Sequence, residues 1–156
     1  MCLRSCFLLI VISGLAACNI QNLQPAKDVS NIIEVEKRAH EAYQKEDWKM
    51  AEQEYKYLVQ NVPSQSEPWF KLGNIYARTG QLDLAIYNYR EALVRDPKNS
   101  KIWHNLGVVQ LRQATNTFTE MLQYTNENDP LNARAKHVVN SVTELLASGF
   151  EPPDEQ

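Results

Sequence analysis

Between residues 32 and 148, apolar side chains return every three or four positions, the spacing that gathers them on one face of an α-helix. Trp48, Ala51, Tyr55, Leu58 and Val59 form one stripe, and Leu82, Ala85, Ile86, Tyr89, Ala92 and Leu93 form a second. The cleanest stripe runs through Leu131, Ala135, Val138, Val139, Val142, Leu145 and Leu146. Asp129 can cap its start, Pro130 suits its first turn and Gly149 supplies a stop. No segment alternates apolar and polar residues long enough to predict a strand. The pattern predicts an all-α fold.

The stripes also repeat. Trp69 and Trp103 lie 34 residues apart, as do Leu72 and Leu106, Gly73 and Gly107, Ala51 and Ala85, Tyr55 and Tyr89, and Pro63 and Pro97. A fixed period of this length marks a stack of helical hairpins, none of which buries its apolar face alone. In these residues the sequence resembles the tetratricopeptide repeat, with its W-x2-L-G-x2-Y, A-x3-F and P pattern. The unit at 66–99 carries Trp69, Leu72, Gly73, Tyr76, Ala85, Tyr89, Ala92 and Pro97. The unit at 32–65 keeps Ala39, Ala51, Tyr55 and Pro63 but has Val35 for tryptophan and Arg38 for leucine. The unit at 100–133 opens with Trp103, Leu106 and Gly107, then has Thr119 and Gln123 for alanine and aromatic. The resemblance implies a tetratricopeptide-repeat superhelix of about three helical hairpins, closed by a capping helix at 130–148 that covers the open end of the stack.

Packing reasons accompany these residue types. Gly73 and Ala85 permit close approach of the two helices of a hairpin, with Tyr76 and Tyr89 filling the space beside that contact and the tryptophans packing between helices. Gly80 supplies the positive φ of a turn at Thr79-Gly80-Gln81. In the third unit no glycine or proline interrupts the stretch from Leu111 to Leu122. A turn displaced to Thr115-Asn116-Thr117, residues that form helices weakly, is the preferred reading. One longer helix is the alternative.

The N-terminus reads differently. Arg4 precedes an apolar run from Phe7 to Ala17, too short to span a bilayer and of signal-peptide proportions. Leu15-Ala16-Ala17-Cys18 resembles the lipobox of bacterial lipoproteins, which implies removal of residues 1–17 and lipidation of Cys18. Asn19 stands where, by the same resemblance, an aspartate would retain the protein at the inner membrane, so an outer-membrane anchor facing the periplasm is expected. Residues 18–31 read as lipidated cysteine and flexible tether, and 149–156 as a fraying acidic tail. With Cys2 and Cys6 removed and Cys18 acylated, no thiol is left for a disulfide or a thiolate metal site.

Composition narrows the function further. Sixteen Lys and Arg against 19 Asp and Glu give a net charge of −3, without the basic footprint of a nucleic-acid binder. His40, His104 and His137 share no ligand spacing, and no metalloprotease, phosphate-loop or nucleophile-elbow motif occurs. No enzyme, cofactor, metal or small-molecule substrate is expected. The resemblance implies a concave groove lined by the first helix of each unit. Its candidate residues are Glu36, His40 and Tyr43 from the first unit, Phe70, Asn74 and Arg78 from the second, and Lys101, His104, Val108 and Leu111 from the third. Phe70, next to Trp69, faces either that groove or a neighbouring helix. Glu36 and His40 replace the lysine and asparagine with which some relatives clamp a carboxylate, so a peptide or amphipathic helix is the expected occupant. The expected role is an adaptor in assembly of a surface machine such as a pilus or secretion system, the alternatives being a periplasmic scaffold for cell-wall enzymes or a structural subunit of an outer-membrane complex.

Overall fold

The structure, a computed structural model, describes residues 25–148. Cys18, the signal-like segment and the tail at 149–156 lie outside the described residues. Six helices follow one another: α1 (Pro25–Gln44), α2 (Trp48–Asn61), α3 (Ser66–Arg78), α4 (Leu82–Arg95), α5 (Ser100–Tyr124) and α6 (Pro130–Ala147). No strand occurs among the described residues. α1 pairs with α2, α3 with α4 and α5 with α6, while α2 packs on α3, α4 on α5 and α3 touches α5. This is the expected stack of hairpins, with first helices meeting across units.

Two turns repeat the same backbone device at the 34-residue spacing. Gly80 closes α3 with φ 76° and Glu46 closes α1 with φ 55°, both in the left-handed region that ends a helix. Glycine enters that region without steric cost, whereas glutamate is strained there. The Asp47 carboxylate then caps α2 by accepting from the Met50 amide at 3.1 Å. Asn99 caps α5 and Asp129 caps α6 in the same way, accepting from the Lys101 and Leu131 amides, and Pro130 occupies the first turn of α6 as anticipated.

The core is built from the repeated positions. Ala39, Ala51, Leu58, Ile75, Ala85, Ala92 and Ile102 are fully enclosed, and Leu58 alone contributes about 1.5–3 kcal/mol by leaving water. Gly73 is the closest approach: a β-carbon there would stand 2.5 Å from two ring carbons of Tyr89. The small residue exists because the tyrosine ring lies flat against the backbone of α3.

Three expectations are corrected. α1 starts at Pro25, so residues 25–31 are its first two turns rather than tether, and Asn31 is held by a 2.8 Å bond from its Nδ2 to the Tyr57 hydroxyl of α2. The displaced turn in the third unit is absent, since α5 is one continuous helix of 25 residues. Ala114 explains this: it occupies the repeat position of Gly80 and Glu46, and alanine is the best helix former. The weak formers that follow satisfy their hydroxyls within the helix, Thr115 donating to the Leu111 carbonyl, Thr117 to Gln113 and Thr119 to Thr115. α6, as expected, closes the chain's helical stack by packing on its last helix, α5, and on no other described helix. Finally, Trp103 is not packed between helices but 55% exposed, because no second helix folds back over it.

Candidate protein-binding groove

The first helices present one continuous face, knit together from residues of adjacent units. Where α3 meets α5, Asn74 Oδ1 accepts from the Tyr89 hydroxyl at 2.8 Å and from Asn105 Nδ2 at 2.9 Å. Asn74, Asn105 and Tyr89 are all buried, so this triad is a polar floor in which Asn74 Oδ1 is satisfied twice, while Asn105 Oδ1 has no hydrogen-bond partner among the described residues. Burial pushes the Tyr89 phenol above its ordinary range, against opposing pulls from Asn105, Arg78 and Arg112. The phenol therefore remains a hydrogen-bond donor at neutral pH, and the two guanidiniums, 34 residues apart, bear on the same floor.

Where α1 meets α3, the contacts are aromatic and cationic. The Tyr43 ring meets Trp48 and Tyr55 edge-on at 5.4 and 6.2 Å. The Lys71 ammonium sits 4.6 Å from the centre of the Tyr43 ring, and the Arg78 guanidinium 5.5 Å from that of Trp48. Cations over aromatic faces at this range attract. Lys71, Asn74 and Arg78 stand at i, i+3 and i+7 on α3, which aligns them on one side.

The ten candidates divide by accessibility. His40, Arg78 and Lys101 are exposed, and Glu36, Phe70, His104 and Leu111 are half-buried. These seven are open to a partner. Tyr43, Asn74 and Val108 are buried and are corrected to structural roles: Tyr43 is enclosed by the aromatic cluster, Asn74 anchors the polar floor and Val108 is packed away from solvent. Phe70 answers to both of its expected readings, since one side of its ring lies 6.0 Å from Tyr89 and the rest remains accessible. Its neighbour Trp69 is half-buried against α4, 6.3 Å from Tyr87 and 4.4 Å from the Arg95 guanidinium.

Sequence reasoning passed over Lys71 and Arg112, and read Trp48 only as part of an apolar stripe. Arg112 was findable, because it repeats Arg78 at the period that defines the units. Lys71 and Trp48 were not, since their roles depend on which ring a cation meets across two helices.

A second device repeats at the joins between units. The Trp69 indole N–H donates to the Pro63 carbonyl at 3.2 Å, and that of Trp103 to the Pro97 carbonyl at 3.0 Å. Each tryptophan thus ties the first helix of its unit to the proline that ends the preceding one. The Arg95 guanidinium also donates to the Pro63 carbonyl, beside Trp69.

Among the described residues no group of three or more His, Cys, Asp or Glu is placed to hold a metal ion. No described helix is long and apolar enough to cross a membrane.

Comparison with known proteins agrees with this architecture. Residues 73–113, from Gly73 in α3 through α4 into α5, match a family model described as TPR repeat. The general transcriptional corepressor ssn6 of Schizosaccharomyces pombe is 31% identical over 78 residues. That match covers 49% of this chain and 7% of the corepressor, so the chain spans a small fraction of that relative's length. The all-helical hairpin stack is that of a tetratricopeptide-repeat fold, a fold of protein interaction.

Proposed function

We propose that this protein is an adaptor anchored by lipid at Cys18 to the outer membrane, holding a partner protein against the face of α1, α3 and the first half of α5 during assembly of a surface machine such as a pilus or secretion system. The observation that carries the binding reading is that accessible side chains are gathered on a polar floor. Phe70, half-buried, lies 6.0 Å from Tyr89 of the Asn74–Tyr89–Asn105 triad, and the exposed Arg78 bears electrostatically on the same tyrosine. A preformed surface of this kind loses little entropy when a partner docks. Apolar and aromatic groups beside Arg78 and Arg112 suit an amphipathic helix or extended peptide with acidic flanks. The anchor rests on Leu15-Ala16-Ala17-Cys18, and several acyl chains hold a domain at a membrane that none of its described helices is long and apolar enough to cross.

Two arms test the proposal in the full chain expressed in bacterial cells. With a fatty-acid analogue as label, the wild type should incorporate it and Cys18→Ser should not. In capture from solubilised envelopes, Phe70→Ala and Arg78→Ala should each weaken partner recovery about tenfold or more, a loss of about 1.4 kcal/mol. Label in the Cys18→Ser variant removes the anchor from the account. Undiminished capture by both groove variants removes the groove.

A further inference from the structure

Burial stops abruptly inside α5. The apolar core runs from Val35 to Val109, and the buried residues of α5 are Ile102, Asn105, Leu106, Val108 and Val109, all in its first half. Among residues 110–148 only Asn132 and Ala135 are buried. The helix nevertheless continues to Tyr124, and α6 packs back on it and on no other described helix. Along that seam Phe118 and Leu122 of α5 and Val138, Val139 and Val142 of α6 are only half-buried. The entropy lost in ordering a residue is offset chiefly by burial of apolar surface, and this hairpin orders many residues while enclosing few.

Local chemistry does little to hold it. Thr115, Thr117 and Thr119 turn their hydroxyls back on the carbonyls four residues earlier, bonds that slightly weaken a helix, and threonine is a poor helix former. Its polar ties are exposed: the Gln113 amide donates to the Asp83 carboxylate of α4, and Lys136 pairs with Glu127 at 3.9 Å. The bond from Asn132 Nδ2 to the Thr125 hydroxyl, at 2.9 Å, is part-buried. In the second unit, by contrast, the Tyr89 ring is enclosed, laid on Gly73 and bonded to Asn74.

Segments with few buried apolar contacts open at lower free energy than the core they adjoin. We propose that residues 110–148 form an arm that unfolds and refolds by itself while the core up to Val109 stays folded, and that its unfolding withdraws Leu111 and Arg112 from the groove. Both stand at the boundary: Leu111 is a half-buried groove residue, and the Arg112 guanidinium bears on Tyr89. A partner that touches them binds the folded arm and not the open one, so occupancy of the groove and order in the arm support each other. The separate melting of the arm needs no partner; its link to binding rests on the groove reading above.

Hydrogen exchange of the full chain in mild detergent, followed fragment by fragment by mass spectrometry, tests the arm alone. Amides of 112–147 should be at least tenfold less protected than those of 69–95. Thr117→Ala combined with Thr119→Ala, both at exposed positions, should slow exchange in the arm about fivefold and leave 69–95 unchanged. Ala135→Asp, which places a charge at a buried position, should abolish protection in the arm and again leave 69–95 unchanged. Equal protection of arm and core in the wild type overturns the proposal, and so does a change in 69–95 that follows the arm in either variant. In capture from solubilised envelopes, Ala135→Asp should recover at least fivefold less partner. Undiminished capture by Ala135→Asp where Phe70→Ala still reduces it overturns the link to the groove. Undiminished capture by both is the failure of the groove reading itself, and the link falls with it.

Discussion

At the scale of single residues, one letter of the repeat has two opposite meanings. Gly73 and Gly107 occupy the same position of successive units. A methyl group at 73 would collide with Tyr89, a ring that is 1% exposed and tethered to Asn74, so it has no room to yield. Overpacking of that kind costs about 1–3 kcal/mol. At 107 no atom of the described residues stands within 4 Å, and alanine improves a helix interior by about 0.5–1 kcal/mol over glycine. Gly73→Ala should therefore lower the melting temperature and Gly107→Ala raise it, as read by thermal melts followed by circular dichroism. The repeat pattern places both glycines at one position and does not distinguish them. What separated them was 16 residues further on, where Tyr89 has a partner in register and Gln123 does not fold back.

The elements were legible where local chemistry and periodicity agreed, and not where they competed. The hairpins α1–α2 and α3–α4, and the capped start of α6, follow from stripes, caps and a positive-φ turn. The third unit misled because Thr115, Asn116 and Thr117 read as a turn by propensity. Ala114 in the turn position, and hydroxyls that bond back along the helix, favour continuation. Between elements, the join of α2 to α3 carries a pH dependence. The Glu52 carboxylate takes a hydrogen bond from the Lys56 ammonium at 2.5 Å and another from the Tyr76 hydroxyl at 3.0 Å. Lys56 first, then Tyr76, holds it below the ordinary 4.5, against partial desolvation. A carboxyl lowered by folding stabilises above its unfolded value, and that contribution is lost as pH falls through the folded one. Thermal melts should therefore fall on acidification below about pH 4.5, and Glu52→Gln should fall less steeply over the same range. Equal slopes for the two proteins would show that this carboxylate does not couple α2 to α3.

At the scale of the whole molecule, the division of labour lies between faces. The second helices supply Tyr55, Tyr89 and the small residues that make the core, while the first helices hold the floor and the accessible side chains above it. Seven of ten groove positions read from the repeat are accessible, and the three that are not were hidden by their own chemistry. An asparagine, a tyrosine and a valine on the predicted face look like ligand contacts in sequence, but contact with neighbouring helices encloses them. The central claim is that a partner protein occupies this face. It is tested most directly by a photo-cross-linking amino acid placed in the full chain in cells, at His40 or Arg78 on the first helices and at Gln60 or Val94 on the second, all exposed positions. The account predicts that His40 and Arg78 yield the same adduct with one envelope protein and that Gln60 and Val94 do not. Adducts from Gln60 and Val94 with none from His40 and Arg78 would contradict it.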